Sequence, residues 1–417
     1  MHILLIGSGG REHALAWKIA KSPLVKKLTC APGNPGMADL GQMVTIAEET
    51  IAQYAADHAV DLVVVGPEAP LADGLADRLA TAGIPCFGPT AGGARIESSK
   101  AFMKDICAEY DIPAPAYGRF EDADAAKAFL RAMQPPYVIK ADGLAAGKGV
   151  VITDAMDDAE RVIDEMLGGQ FGKASETIVI EEFLTGTEVS AFAITDGETL
   201  LPFGAAQDHK RAFDGDEGPN TGGMGGFSPS PVFTPKVERE AYEKIIGPTL
   251  RALRDKGITY RGVLYAGLML TAEGPKLIEY NCRFGDPECQ LLMRRLRSDI
   301  VPALWGAATG RLAGVGLDWM DVAAANIVLA TDGYPGAYTK GSVIGGVETA
   351  DAEDDVVVFH AGTRLEDGQL LAHGGRVLNV TATGDDLGQA LDKAYAAAAK
   401  IVWPEGFYRK DIGQDLR

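Results

Sequence analysis

Two apolar runs in the first hundred residues limit the fold more than any other feature. HILLIG at 2–7 and VDLVVVGPE at 60–68 do not alternate with polar residues, and each runs into a glycine. Uniformly apolar runs of this length suit strands buried on both faces. REHALAWKIAKS follows the first with helical spacing, placing Leu15, Ala16 and Ile19 on one side. IAQYAADHA precedes the second and reads as helix; LADGLADRLATAG and the short run IPCFGP follow it as helix and strand. Alternating strands and helices predict a doubly wound parallel sheet. Ligands gather at the carboxyl ends of such strands, where Gly7–Gly10, Asn34 and Gly66–Glu68 stand.

The pattern changes beyond this unit. DADAAKAFLRAM leads into PYVIKADGLAAGKGVVIT, two strands joined by a Gly-rich loop; a helix and ETIVIEEFLTG follow. This α+β stretch, 119–187, reads as a movable lid. Residues 188–318 hold EVSAFAIT, a long polar loop, a helix and a strand pair. The last hundred residues form another α+β unit closed by LGQALDKAYAAAAKIV. With 417 residues, 47% hydrophobic and 23% charged, core-building capacity is ample. A net charge of −19 argues against a nucleic-acid or anionic-membrane surface. It leaves room for small anions in a local basic pocket. Cys30, Cys86, Cys107, Cys282 and Cys289 are odd in number and lack CxxC spacing, which predicts free thiols. No run of about 18 apolar residues offers a membrane span. A cytoplasmic protein is expected.

Five stretches carry candidate chemistry. In IGSGGREH (6–13) glycines between strand and helix suit a phosphate. A dinucleotide fingerprint needs glycine at position 12, and Glu12 stands there, so a nicotinamide cofactor is not expected. A single phosphate with Arg11 nearby and a plain tight turn both stay open. KADGLAAGKG (140–149) is no Walker A loop, since three residues separate Gly143 from Gly147 and Gly149 follows Lys148. A flexible loop flanked by Lys140 and Lys148 still suits nucleotide phosphates, against an ordinary hairpin with surface lysines. VIEEFLTGTE (179–188) offers Glu181 or Glu182, and Glu188, for adenine and ribose, against an edge strand with solvated acids. QDHKR (207–211) and PNTGGMGG (219–226) form a donor-rich loop whose alternative is disorder. In IEYNCRFGDPE (278–288), period-two alternation sends Glu279, Asn281 and Arg283 to one face and Tyr280, Cys282 and Phe284 to the other. The first row suits a divalent cation and phosphate, or simply solvent.

Taken together, GSGGREHALAWK, APGNPG, VVGPEAPLADG, FGPT, SSKAFMKD, IKADGLAAGKGV, IEEFLTGTE, QDHKR, GPNTGGMG, LYAGLM, NCRFGDPE, FHAGT, GGRVL and YRKDIG resemble the phosphoribosylamine–glycine ligases, an ATP-grasp family, from residue 2 to about 413. The resemblance implies α/β and α+β domains: an N-terminal doubly wound domain (1–103), a central ATP-grasp domain (104–118 and 188–318), an ATP-grasp lid (119–187) and a C-terminal α+β domain (319–417). It implies ATP-dependent ligation of glycine to 5-phosphoribosylamine through glycyl phosphate, in de novo purine synthesis. It assigns Glu279 and Asn281 to Mg²⁺ or Mn²⁺. Lys104, Lys140, Lys148, Gly147 and Gly149 fall to the ATP phosphates; Glu181, Glu182, Leu184 and Glu188 fall to adenine and ribose. Gly9, Gly10, Asn34, Gly66, Glu68, Asn220, Gly222 and Gly223 fall to the other substrates, and Arg283, Asp208 and Lys210 to the reacting groups. The expected partners are these small molecules, with no nucleic acid and no membrane, and the expected state is a monomer, with a homodimer as the alternative. The rivals are a bicarbonate-dependent carboxylase of the same superfamily, a nicotinamide oxidoreductase and a non-catalytic nucleotide sensor.

Overall fold

The computed structural model describes residues 1–144 and 149–416. Gln42–Met43, Lys27–Pro32, His2–Gly7, Leu62–Val65 and Cys86–Phe87 form a five-stranded sheet in that order, parallel throughout. His2–Gly7 is buried along its whole length, as its unbroken apolar run requires. The chain leaves it to one side through Lys27–Pro32 and to the other through Leu62–Val65, so its carboxyl end is the switch point of the sheet. Lys27–Pro32 was not anticipated. Its sequence KLTCAP mixes Lys, Thr and Pro into the run, and it is a strand because its neighbour pairs with it.

Tyr117–Phe120, Ile178–Glu181, Tyr137–Ala141 and Val150–Thr153 form a second, antiparallel sheet. The helices Ala123–Leu130 and Met156–Glu165 cover it, and Leu130, Ile139, Ile163 and Ile180 belong to a core confined to this unit. Ile178–Glu181 lies between two partners. The edge-strand alternative for IEEFLTGTE therefore does not hold.

The third sheet runs Gly274–Asn281, Gly262–Thr271, Thr187–Thr195, Leu200–Asp208, Gly225–Ser228, Ala323–Thr331, Arg376–Gly384, Val356–His360. The final hundred residues thus share a continuous sheet with the middle of the chain, joined at Gly225–Ser228. Glycine makes that joint possible. Gly225 has φ +148°, and a Cβ there would stand 2.5 Å from Asn326 O; a Cβ on Gly226 would overlap Gln207 O. The long polar loop is ordered too. It forms a hairpin, Arg211–Phe213 with Glu217–Asn220, before the joining strand. Arg409, 2% exposed, ties that hairpin down through Asp216 (2.7 Å) and Arg211 O (3.1 Å).

A polar seam links the first and last thirds of the chain. Asn34 Nδ2 donates to Ser8 O and His360 O, both at 2.8 Å. His360 N donates to His13 Nδ1 at 2.8 Å. Burial, with His360 adding, lowers the His13 imidazole from 6.5 to about 3; burial lowers His360 to about 4 against Asp351 and Glu348. Folded values below unfolded ones mean the contribution is present above about pH 6.5 and lost as pH falls toward the folded values. The melting temperature is expected to fall on acidification over that range, and less steeply in His13→Gln, which keeps an acceptor for His360 N. Parallel pH series of melting temperatures for the two proteins check this; coincident curves count against it.

Candidate functional site

A cleft of about 630 Å³ opens where the three sheets meet. Glu279 and Asn281 end the strand Gly274–Asn281, and Arg283 follows just beyond it. All three line the cleft, as does Tyr280, while Tyr280, Cys282 and Phe284 are 2%, 1% and 2% exposed. The period-two row therefore faces the cleft. Neither Glu279 nor Asn281 makes a side-chain hydrogen bond among the described residues, so their oxygens are uncommitted. Burial works against charge on Glu279, but Lys210, Lys140, Lys100 and Arg283 outweigh it and hold its carboxyl below the ordinary range. Among the described residues no three His, Cys, Asp or Glu side chains converge as a metal cluster. Two hard oxygen donors on a cleft wall fit a divalent ion whose shell is completed by substrate phosphates and water, as Mg²⁺ prefers.

Cations and carboxylates alternate around this pair. Lys210 is paired with Glu188. Burial opposes the Lys210 charge, but Glu188 and Asp208 hold its pKa well above the ordinary lysine value. Burial pushes Asp208 up to about 8, with Lys210 opposing and Glu288 and Glu188 adding. Arg283 spans two elements of the N-terminal region: Nε to Glu68 at 3.1 Å and Nη2 to Glu97 at 3.0 Å. On the side of the second sheet, Glu181 Oε2 stands 2.9 Å from Lys140 Nζ and 3.3 Å from Lys104 Nζ. Glu181 Oε1 has no hydrogen-bond partner among the described residues. Glu182 N donates to Ala116 O at 2.8 Å, pinning the segment that leads to Phe183 and Leu184 on the cleft wall. Val138, Ile152, Phe183, Leu184 and Met269 give that end an apolar lining, suited to a flat base above charged phosphate contacts.

The predicted residues divide by position. Glu68, Lys140, Gly149, Glu181, Glu182, Leu184, Glu188, Asp208, Lys210, Asn220, Gly222, Glu279, Asn281 and Arg283 line the cleft. Lys104 lies behind Glu181, wholly buried. Gly147 and Lys148 lie outside the described residues. Asn34, Gly9, Gly10, Gly66 and Gly223 stand outside the lining of this cleft. Asn34 is committed to the seam. A Cβ on Gly10 would stand 2.6 Å from Gln290 Nε2, and one on Gly223 would stand 2.6 Å from Pro287 Cδ, so both serve close packing. Gly9 and Gly66 wrap Glu12.

Sequence reasoning missed Glu97, Lys100, Tyr265, Asp286, Glu288 and Arg376, all on the cleft wall. Lys100 had a signal, since it stands one helical turn before Lys104 on Lys100–Glu109. Arg376 had none. It arrives from the last sheet and donates through Nη1 to Gly222 O and Asp286 O, both at 2.6 Å.

Comparison with known proteins bears on this geometry. Residues 1–97, 98–289 and 324–415 match the N, ATP-grasp (A) and C domains of phosphoribosylglycinamide synthetase. A phosphoribosylamine–glycine ligase of Rhizobium meliloti is 54% identical over 416 residues, covering 99% of this chain and 98% of its own. The crystal structure of a Thermotoga maritima phosphoribosylamine–glycine ligase superposes with a TM-score of 0.85 at 32% identity, covering 99% of this chain and 100% of that one. The biotin carboxylase domain of a Hydrogenobacter thermophilus 2-oxoglutarate carboxylase superposes with a TM-score of 0.74 at 15% identity over 97% of this chain and 91% of its own, a likeness of fold alone. With its three domains matched in order and relatives aligned end to end, the chain belongs to the phosphoribosylamine–glycine ligase family, enzymes built on the ATP-grasp fold.

Proposed function

We propose that this chain joins glycine to 5-phosphoribosylamine with hydrolysis of ATP to ADP and phosphate, giving glycinamide ribonucleotide for purine synthesis. The observation that carries the reading is the uncommitted pair Glu279 and Asn281, ringed by Lys100, Lys140, Lys210 and Arg283 on one cleft wall. In this reading a glycine carboxylate oxygen attacks the γ-phosphorus of ATP, and ADP leaves. The amine nitrogen then attacks the carbonyl of glycyl phosphate, and phosphate leaves. No side-chain nucleophile is required. Lys140, backed by Lys104, meets the nucleotide phosphates, as does Lys148 with Gly147 and Gly149. Glu181, Glu182 and Leu184 frame the base, and Glu188 the ribose. Glu68, Asn220 and Gly222 face the remaining substrates. Lys210 and Arg283 hold the reacting anions, and Asp208, whose carboxyl burial pushes up, stands where it could take the proton the amine gives up.

Glu279 and Asn281 would hold Mg²⁺ or Mn²⁺, which when bound draws charge from phosphate oxygens. The unit 119–187, with its own core, is taken as a lid that keeps water from the acyl phosphate. The five free, buried cysteines suit a reducing, cytoplasmic setting; among the described residues no helix is long and apolar enough to cross a membrane. ADP release is expected only when ATP, a divalent ion, glycine and freshly generated phosphoribosylamine are all present. Release without glycine, or driven by bicarbonate, would move the chain to another acceptor.

A further inference from the structure

The glycines after the first strand do not enclose an empty anion site. Gly7 takes φ +122°, and a Cβ there would stand 2.5 Å from Glu12 Cγ. A Cβ on Gly9 would stand 2.8 Å from Glu12 Oε2, and one on Gly66 would overlap Glu12 Oε1. Glu12, 2% exposed, thus fills a cradle made by three glycines from two strand ends. Gly9 N donates to Glu12 Oε2 at 2.6 Å, and Arg11 Nε donates to Glu12 Oε1 at 2.6 Å. Arg11 N meets a second carboxylate, Asp286 Oδ2, at 3.3 Å. A substrate phosphate brought to these amides would meet two fixed anions. Arg11 is 8% exposed yet lines the cleft. Its Nη1 donates to Phe284 O at 3.1 Å, leaving Nη2 uncommitted among the described residues.

We propose that Glu12 is a positioning residue: its carboxylate occupies the glycine cradle and aims Arg11, so that the phosphate of the acceptor is met by the Arg11 guanidinium and not by the helix amides. This rests on the ligase reading for the identity of the acceptor. The geometry also explains why position 12 cannot be glycine here. A glycine would vacate the cradle and release Arg11.

The test uses the full chain with Glu12→Gln, Arg11→Lys and both together. Glu12→Gln and Arg11→Lys are each expected to raise the KM for phosphoribosylamine about tenfold or more, with KM for ATP and glycine changed less than about twofold. The double variant is expected to be no worse than Arg11→Lys alone, since Glu12 acts through Arg11. Equal rises in the ATP KM, or additive losses, overturn the proposal. Calorimetric binding of ribose 5-phosphate needs no turnover. The parent chain is expected to bind it and Arg11→Lys to bind about tenfold more weakly, which decides the matter even if Glu12→Gln fails to fold. No binding by the parent, or equal binding by Arg11→Lys, overturns it. Failure of the ligase reading would show instead as ADP release indifferent to glycine, with the binding contrast intact.

Discussion

Glu279→Ala is expected to lower turnover at least about a hundredfold if Glu279 holds the metal as proposed, because losing a metal ligand should cost no less than losing the residues that orient one. The loss should be steepest at low Mg²⁺ and partly recovered at high Mg²⁺, with Asn281 remaining as a donor. The fold should survive. Among the described residues Glu279 makes no side-chain hydrogen bond that its removal would strand, and the backbone pairing of its strand with Gly262–Thr271 is untouched. A change in unfolding free energy below about 1 kcal/mol is expected. Removing the carboxylate also leaves Lys210, Lys140, Lys100 and Arg283 less neutralised. Metal-free nucleotide should then bind as well as before or better, while turnover collapses. Glu279→Gln, which keeps one oxygen, should fall between. The measurements are initial rates across a Mg²⁺ titration and a denaturation curve for each variant. Near-normal turnover of Glu279→Ala at low Mg²⁺ would remove this residue from the metal site.

What the sequence disclosed and what it withheld follow from the range of the signals. Period-two alternation is a local property, so Glu279, Asn281 and Arg283 could be placed on one face without knowing what that face meets. The buried parallel strands were legible for the same reason. Glu12 was legible only as a broken fingerprint. That it fills the space of a missing ligand depends on Gly66, fifty-four positions away. Arg376 and Glu97 reach the cleft through tertiary placement alone. The continuity of the last sheet hinges on Gly225–Ser228, a short strand that opens with two glycines and so was hidden among loop residues. For Glu181 the local pattern favoured the wrong environment. Acids at the end of a short apolar run look like a solvated edge, yet this strand is interior and its carboxylate is 1% exposed.

Glu181→Ala is therefore expected to be strongly destabilising to the unit 119–187. Lys140 lies opposite Val179 in the register, which places Glu181 diagonally across from it on the same face. Lys104 reaches the same oxygen from the helix Lys100–Glu109. Lys104 and Lys140 are 0% and 4% exposed, so two ammonium groups share one carboxylate out of contact with water. Burial lowers the Lys104 pKa, and Glu181 is the main influence resisting it. Without Glu181 the two cations face each other with no counter-charge. Stripping one side of a buried charge cluster costs about 3–5 kcal/mol. The chain can limit that cost by deprotonating Lys104, which would make the loss smaller at high pH. Lys104→Met in the Glu181→Ala background should recover stability although Lys104→Met alone does not, a coupling of about 1–3 kcal/mol between touching charges. ATP supplies the other diagnostic. Two cations against one carboxylate leave a net positive charge for the nucleotide phosphates, and in Glu181→Ala those phosphates would replace the missing anion. Saturating ATP should then raise the melting temperature of Glu181→Ala by more than it raises that of the parent. A parent-like denaturation midpoint in the variant, or an ATP shift no larger than the parent's, would mean that the three side chains do not act as one charged unit.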